Sequence, residues 1–155
     1  MRIVVMSDSH GRLARLRRVF ADQPEAEAYL FLGDGLKDWA QMQESYPDRR
    51  LIAVCGNCDG GTAVPAVRTE TFGGVTVMMT HGHLYKVKYD LTALSLAARE
   101  RSAAVALFGH THQACEISDR GLQLVNPGSV GADGAYAVLD IGRHGVLTSL
   151  CHMTD

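Results

Sequence analysis

The chain has 155 residues, 46% of them hydrophobic, and a formal net charge of −2. That size and apolar content predict one globular domain over residues 1–155 with a core of its own. The near-neutral charge, with no basic stripe between aromatics, excludes the electrostatic footprint of a nucleic-acid binder, and no apolar run approaches the ~20 residues of a membrane helix.

A first strand is expected over Arg2–Met6, too short an apolar run for a signal peptide, so a cytoplasmic location is expected. Leu13, Leu16, Val19 and Phe20 then recur at helical spacing, and strands follow over Ala28–Leu32 and Leu51–Val54. Gly73-Gly74, between Arg68–Phe72 and Val75–Met79, reads as a tight hairpin turn. Leu91, Leu94, Leu96 and Ala98 suggest a second helix. Strands over Val105–Phe108, Gln123–Val125, Ala135–Asp140 and Val146–Leu150 complete the series. The early strand–helix–strand order favours parallel pairing and the later hairpins antiparallel pairing, which an α/β fold with two mixed sheets flanked by helices accommodates. No repeat, linker or low-complexity tract interrupts the pattern.

The four cysteines are Cys55, Cys58, Cys115 and Cys151. Cys55 and Cys58 form a C-x-x-C without a second one to complete a thiolate zinc site, and reduced thiols packed as small hydrophobes are the expectation.

Chemistry-bearing residues stand where the strands run out. Ser7-Asp8-Ser9-His10-Gly11 follows the first strand, Gly33-Asp34-Gly35 the second and Gly56-Asn57-Cys58-Asp59 the third. Thr80-His81-Gly82-His83, Gly109-His110-Thr111-His112 and Asn126-Pro127-Gly128-Ser129 follow later strands. In α/β sheets the active crevice lies beyond the carboxyl ends of the strands, so these loops are expected to converge. Oxygen and imidazole donors suit divalent Mn, Fe, Ni or Zn. The donors exceed what one ion needs, and two ions sharing a bridging carboxylate would use them.

The ordered motifs D-x-H, G-D, G-N-x-D, H-G-H and G-H-T-H resemble the calcineurin-like metallophosphoesterase superfamily, and the short chain with Gly-Asn-Cys-Asp is similar to its small YfcE-type phosphodiesterases. The resemblance covers residues 3 to 129. It implies a four-layer α/β/β/α sandwich with two mixed β-sheets. It also implies a first metal on Asp8, His10 and His112, a second on Asn57, His81 and His110, and Asp34 bridging both. Two divalent ions are expected, Mn²⁺ first, with Ni²⁺, Fe²⁺ or Zn²⁺ able to stand in. The implied reaction is phosphodiester hydrolysis by attack of a metal-bridging hydroxide on a small-molecule diester, and self-association as a homodimer is compatible with it.

One departure bears on substrate. Many larger members carry a His after the metal-binding Asn that can protonate the leaving oxygen, and here Cys58 stands there. Diesters with good leaving groups are therefore expected, or another acid, with His83 and Asp59 the candidates. Asn126 and Ser129 either orient ligands or form a turn, and His144 falls in an exposed turn without a role. Two other readings are a protein-binding scaffold of the retromer-subunit type, which has this fold with degenerate ligands, and a cyclic-nucleotide phosphodiesterase, for which no base-reading pocket is recognisable.

Overall fold

A computed structural model describes residues 1–153. The elements run β1 (Arg2–Met6), α1 (Leu13–Asp22), β2 (Ala28–Phe31), α2 (Leu36–Ser45), β3 (Leu51–Ala53), β4 (Val67–Phe72) and β5 (Val75–Thr80). After a 3₁₀ turn at His83–Tyr85 come α3 (Thr92–Glu100), β6 (Val105–Leu107), β7 (Cys115–Asp119), β8 (Leu122–Asn126), α4 (Val130–Asp133), β9 (Ala135–Gly142) and β10 (Gly145–His152). One sheet has the order β10-β9-β1-β2-β3 and the other β4-β5-β6-β8-β7.

The alternation of β1 shows how the layers arise. Ile3 and Val5 point between the two sheets, against Leu30, Val77, Leu107 and Val125. Val4 and Met6 point the other way, beneath Leu16, Val19 and Phe20 of α1 and Trp39 and Met42 of α2. On the far side Leu94 and Ala98 of α3 cover Met78, Ala106 and Leu124. The result is the helix–sheet–sheet–helix sandwich expected. Both sheets are mixed: β1 pairs parallel with β2 and antiparallel with β9, while β5 pairs antiparallel with β4 across Gly73-Gly74 and parallel with β6. Each fully buried Val, Leu or Ile contributes roughly 1.5–3 kcal/mol, so this two-sided core anchors the strand ends firmly.

Three elements lie outside the sequence expectation: α2, β7 and the four-residue α4. Helix α2 shows large apolar residues only at Leu36, Trp39 and Met42, too thin a stripe beside Lys37 and Asp38 to stand out. Strand β7 is a mostly exposed edge strand reading Cys-Glu-Ile-Ser-Asp, held by antiparallel pairing to β8. Leu96, expected on the buried face of its helix, is 59% exposed. Among the described residues no helix is long and apolar enough to cross a membrane.

Candidate metal centre

The loops that follow β1, β2, β3, β5, β6 and β8 meet at one end of the sandwich, tied by their own backbones. Asp8 N–H donates to the Gly33 carbonyl at 2.9 Å, His10 N–H to the Asp34 carbonyl at 3.1 Å and Gly109 N–H to the His81 carbonyl at 2.8 Å. Gly131 N–H reaches the Asp8 carbonyl at 3.1 Å. Approach this close needs residues without side chains. A Cβ on Gly56 would run into the Asp34 carboxylate, and one on Gly109 into Ser7 Oγ and the Asp8 carboxylate.

Five polar residues at these loops take left-handed backbone: Asp8 (φ 57°), His10 (45°), Asp34 (60°), His110 (69°) and His112 (61°). Each such residue costs about 1–3 kcal/mol and persists only where the surroundings over-determine it, as they do at functional sites. The tight turns aim successive side chains at one point.

There they form two interlocked groups. Asp8 Oδ1 lies 3.5 Å from His10 Nε2 and 3.2 Å from His112 Nε2. Asp34 Oδ2 lies 3.2 Å from His81 Nε2, which lies 3.2 Å from His110 Nδ1. Within each trio the ligand atoms are all within 4.8 Å of one another. Asp34 Oδ2 is also 3.9 Å from His10 Nε2, and His81 Nε2 is 3.8 Å from Asp8 Oδ1, so the groups share an edge. Asp8 Oδ1 is buried and accepts no hydrogen bond, while Oδ2 accepts from Ser7 Oγ at 2.5 Å and His110 N–H at 3.2 Å. A buried carboxylate oxygen facing imidazole nitrogens without a donor is what a divalent cation satisfies. The donor set fits a divalent ion on each side of Asp34.

The electrostatics of the protein groups agree. Burial pushes the Asp34 carboxyl upward, but the His81 hydrogen bond and the Cys58 N–H, at 2.8 Å from Oδ1, outweigh it and hold Asp34 well below the usual carboxylate range. Burial pushes His81 downward, and the hydrogen bond it makes to the Asp34 carboxylate, with the charges of Asp8 and Asp34, raises it overall. His81 Nδ1 lies 2.8 Å from the Leu32 carbonyl, which can only accept, so Nδ1 carries hydrogen and Nε2 faces the centre. His110 is lowered by burial, His81 and Lys88.

The remaining candidates are placed differently. Asn57 is exposed at the edge, its amide 3.5 Å from Cys58 Sγ, while its neighbours Gly56 and Cys58 pack on Asp34. Cys58 Sγ lies within 4.8 Å of ligand atoms of His10 and Asp34, beside the centre as its position after Asn57 implied. His83 lies at the rim, its ring 5.5 Å from His81 and 6.2 Å from His110, with Nδ1 buried and unpartnered. Burial and His81 lower it, favouring the neutral imidazole.

The acid role expected of Asp59 is corrected. Its carboxylate accepts from the N–H groups of Asp34 (2.6 Å), Gly35 (3.0 Å), Leu36 (3.1 Å) and Gly56 (2.8 Å). Both oxygens are engaged as acceptors, so Asp59 caps α2 and clamps the Asp34 loop to the Asn57 loop. Replacing Asp59 by Ala is expected to weaken metal binding about 10–100-fold, as loss of a ligand-orienting partner does, while circular dichroism keeps the native secondary structure. Unchanged affinity by metal titration would show that the clamp is dispensable.

Asp38, not anticipated, does for the first loop what Asp59 does for the second. Buried on α2, it accepts from Ser9 Oγ at 2.5 Å and Gly11 N–H at 2.9 Å, bracketing His10. A lone acidic residue early in an unrecognised helix gave no signal of this. Asn126 and Ser129 hold the loops in place. Asn126 Nδ2 donates to the Gly109 carbonyl (3.2 Å) and Thr111 Oγ1 (2.9 Å), and Ser129 Oγ donates to the Asp8 carbonyl and caps α4 by accepting from Ala132 N–H. His144 lies exposed in the β9–β10 turn, far in sequence and fold from these loops.

Comparison with known proteins bears on the same residues. A family profile described as the calcineurin-like phosphoesterase superfamily domain matches residues 1–144. The chain is 34% identical over 131 residues to the probable metallophosphoesterase YsnB of Bacillus subtilis (strain 168), spanning 84% of this chain and 75% of that protein. It is 38% identical over 91 residues to vacuolar protein sorting-associated protein 29 of Schizosaccharomyces pombe, spanning 58% of this chain and about half, 49%, of that protein. The crystal structure of a conserved protein of Streptococcus pneumoniae TIGR4, described as a predicted phosphoesterase, superposes with a TM-score of 0.85 at 26% identity over 97% of this chain and 88% of that one. With the family profile matching nearly the whole chain and the two-sheet fold shared with the Streptococcus structure, the chain belongs to the calcineurin-like phosphoesterase superfamily.

Proposed function

We propose that this protein is a dinuclear metal-dependent phosphodiesterase acting on diesters with good leaving groups. The observation that carries the reading is Asp34 Oδ2, set between His81 Nε2 at 3.2 Å and His10 Nε2 at 3.9 Å, one carboxylate oxygen facing both ligand groups. Asp8, His10 and His112 would hold one ion, Asn57, His81 and His110 the other, and Asp34 both. Two divalent ions, when bound, neutralise phosphoryl charge and acidify water. Imidazole and carboxylate donors without a committed thiolate suit Mn²⁺, Ni²⁺, Fe²⁺ or Zn²⁺, with availability deciding among them.

The chain's own residues supply the rest. Leu32 fixes the His81 tautomer, and the clamps on Asp38 and Asp59 hold the His10 and Asp34 turns in their left-handed backbone. No imidazole follows Asn57. Cys58 stands there instead, and beside bound cations a thiol would lose its proton and donate poorly to a departing oxygen. An aryl oxide departs without that proton and an alkoxide does not, hence the preference.

The chelator-stripped protein is expected to leave bis(p-nitrophenyl) phosphate intact and to hydrolyse it once Mn²⁺ is restored. Absence of turnover with Mn²⁺, Ni²⁺, Fe²⁺ and Zn²⁺ alike would overturn the proposal in favour of the scaffold reading.

A further inference from the structure

The two sheets end in four edge strands, and three of them are blunted. Strand β3 has three residues, and the Pro65 carbonyl takes the Cys55 N–H just past its end. Strand β4 carries Arg68 and Glu70, and β7 carries Glu116 and Asp119. Strand β10 differs: its eight residues, Gly145–His152, include no Asp, Glu, Lys, Arg or Pro. A long uncharged edge is a template for another strand, and charges, proline or a bulge normally guard against that. The same flank gathers exposed apolar side chains, Leu147 and Leu150 on β10 and Ile117 on the adjoining β7. We propose that β10 pairs antiparallel with β10 of a second copy of this chain, joining two five-stranded sheets into one.

The hydrogen bonds to β9 fix which backbone groups are available. Met153 N–H donates to the Gly134 carbonyl at 2.9 Å, and Gly145 faces Gly142 across the two-residue turn. The odd-numbered residues of β10 therefore bond to β9, and the N–H and C=O groups of Val146, Thr148, Leu150 and His152 point to the open edge. A two-fold axis through Ser149 sets Val146 against the partner's His152 and Thr148 against the partner's Leu150. Each such pair exchanges two N–H···O bonds. Among symmetric registers this one alone pairs all four outward-facing residues within the strand. Leu147 then meets the partner's Cys151, and the two Ser149 residues face each other with Cα atoms about 4.5 Å apart. No like charges are opposed, and both leucines gain neighbours. One sequence satisfies both sides of the ladder, so a second copy is the partner that fits. Strand β10 runs antiparallel to β9 and so in the direction of β1, whose carboxyl end carries the metal centre. The two-fold therefore leaves the two centres open at opposite ends of the pair.

This inference does not rest on the phosphodiesterase reading, and its test needs no turnover. In sedimentation at about 100 µM, where mass action favours association, the protein is expected at twice the chain mass. Ser149 is exposed, and Ser149→Lys or Ser149→Glu sets two like charges directly opposite each other, which destabilises a strand pair. Each variant alone is expected to run as a monomer, and an equimolar mixture of the two is expected to recover the dimer. Leu150→Pro removes one outward N–H and leaves the β9 ladder intact, so it too is expected to be monomeric with native circular dichroism. Amide exchange at Val146, Thr148 and His152 is expected to be at least about tenfold slower in the dimer than in Ser149→Lys. A monomeric wild type, a dimer that persists in all three variants, or exchange at those amides equal in both would overturn the proposal. Monomeric Lys and Glu variants whose mixture stays monomeric would overturn the two-fold at Ser149.

Discussion

Asp34→Ala is expected to lower phosphodiester turnover by about 10³-fold or more, because the metal ions' transition-state stabilisation is worth several kcal/mol. The loss has two sources. The oxygen that faces both His81 and His10 disappears, and so does the acceptor for the Cys58 N–H that sets the next loop. Alanine must also hold φ near 60°, which costs roughly 1–2 kcal/mol more than for a residue at ease there. Asp34→Asn separates the causes: an amide tolerates the left-handed region and keeps an acceptor, but lacks the charge. Both variants are expected to keep native circular dichroism, since the core lies below the loops, and both to lose turnover. His144→Ala is the matched control and is expected to be silent. Damage from His144→Ala equal to that from His81→Ala would place the site elsewhere.

Cys58→His is expected to raise hydrolysis of diesters with poor leaving groups relative to p-nitrophenyl esters, within the typical ~10²–10⁴-fold range of positioned acid catalysis. Cys58 Sγ lies within 4.8 Å of ligand atoms of His10 and Asp34, so an imidazole there stands beside the reacting phosphoryl group. Its ordinary pKa near ~6.5 allows it to carry a proton to an alkoxide, which a thiol beside bound cations does poorly. The measurement is a series of diesters with leaving groups of rising pKa, in both variants. A dependence on leaving-group pKa that is unchanged or steeper in Cys58→His would show that the acid is elsewhere. His83, at the rim with its unpartnered Nδ1, is the next candidate.

The legible parts of this protein are those where one residue type can do only one thing. An apolar run ending in a glycine beside an Asp or His reads as a strand end turning into a site, and Asp8, His10, Asp34, His81, His110 and His112 do converge. The Gly73-Gly74 hairpin was readable for the same reason. What escaped was set by partners distant in sequence. Asp59 looks like a free carboxylate until the Asp34, Gly35 and Leu36 amides are folded against it. Asp38 looks like a surface charge until Ser9 and Gly11 meet it. Strand β7 exists only because β8 lies beside it, and α2 only because Trp39 and Met42 find Phe31 and its neighbours. Backbone amides leave no mark in a sequence, so the candidate ligands were visible and the two carboxylates that hold their loops were not.

The proposed bridging role of Asp34 requires two ions in one centre. Titration of chelator-stripped protein with Mn²⁺, followed by calorimetry and by hydrolysis of bis(p-nitrophenyl) phosphate on the same samples, tests it most directly. Two ions are expected to bind per chain, with activity appearing as the second site fills and both sites lost in Asp34→Ala. Full activity with a single ion bound at saturation would contradict it.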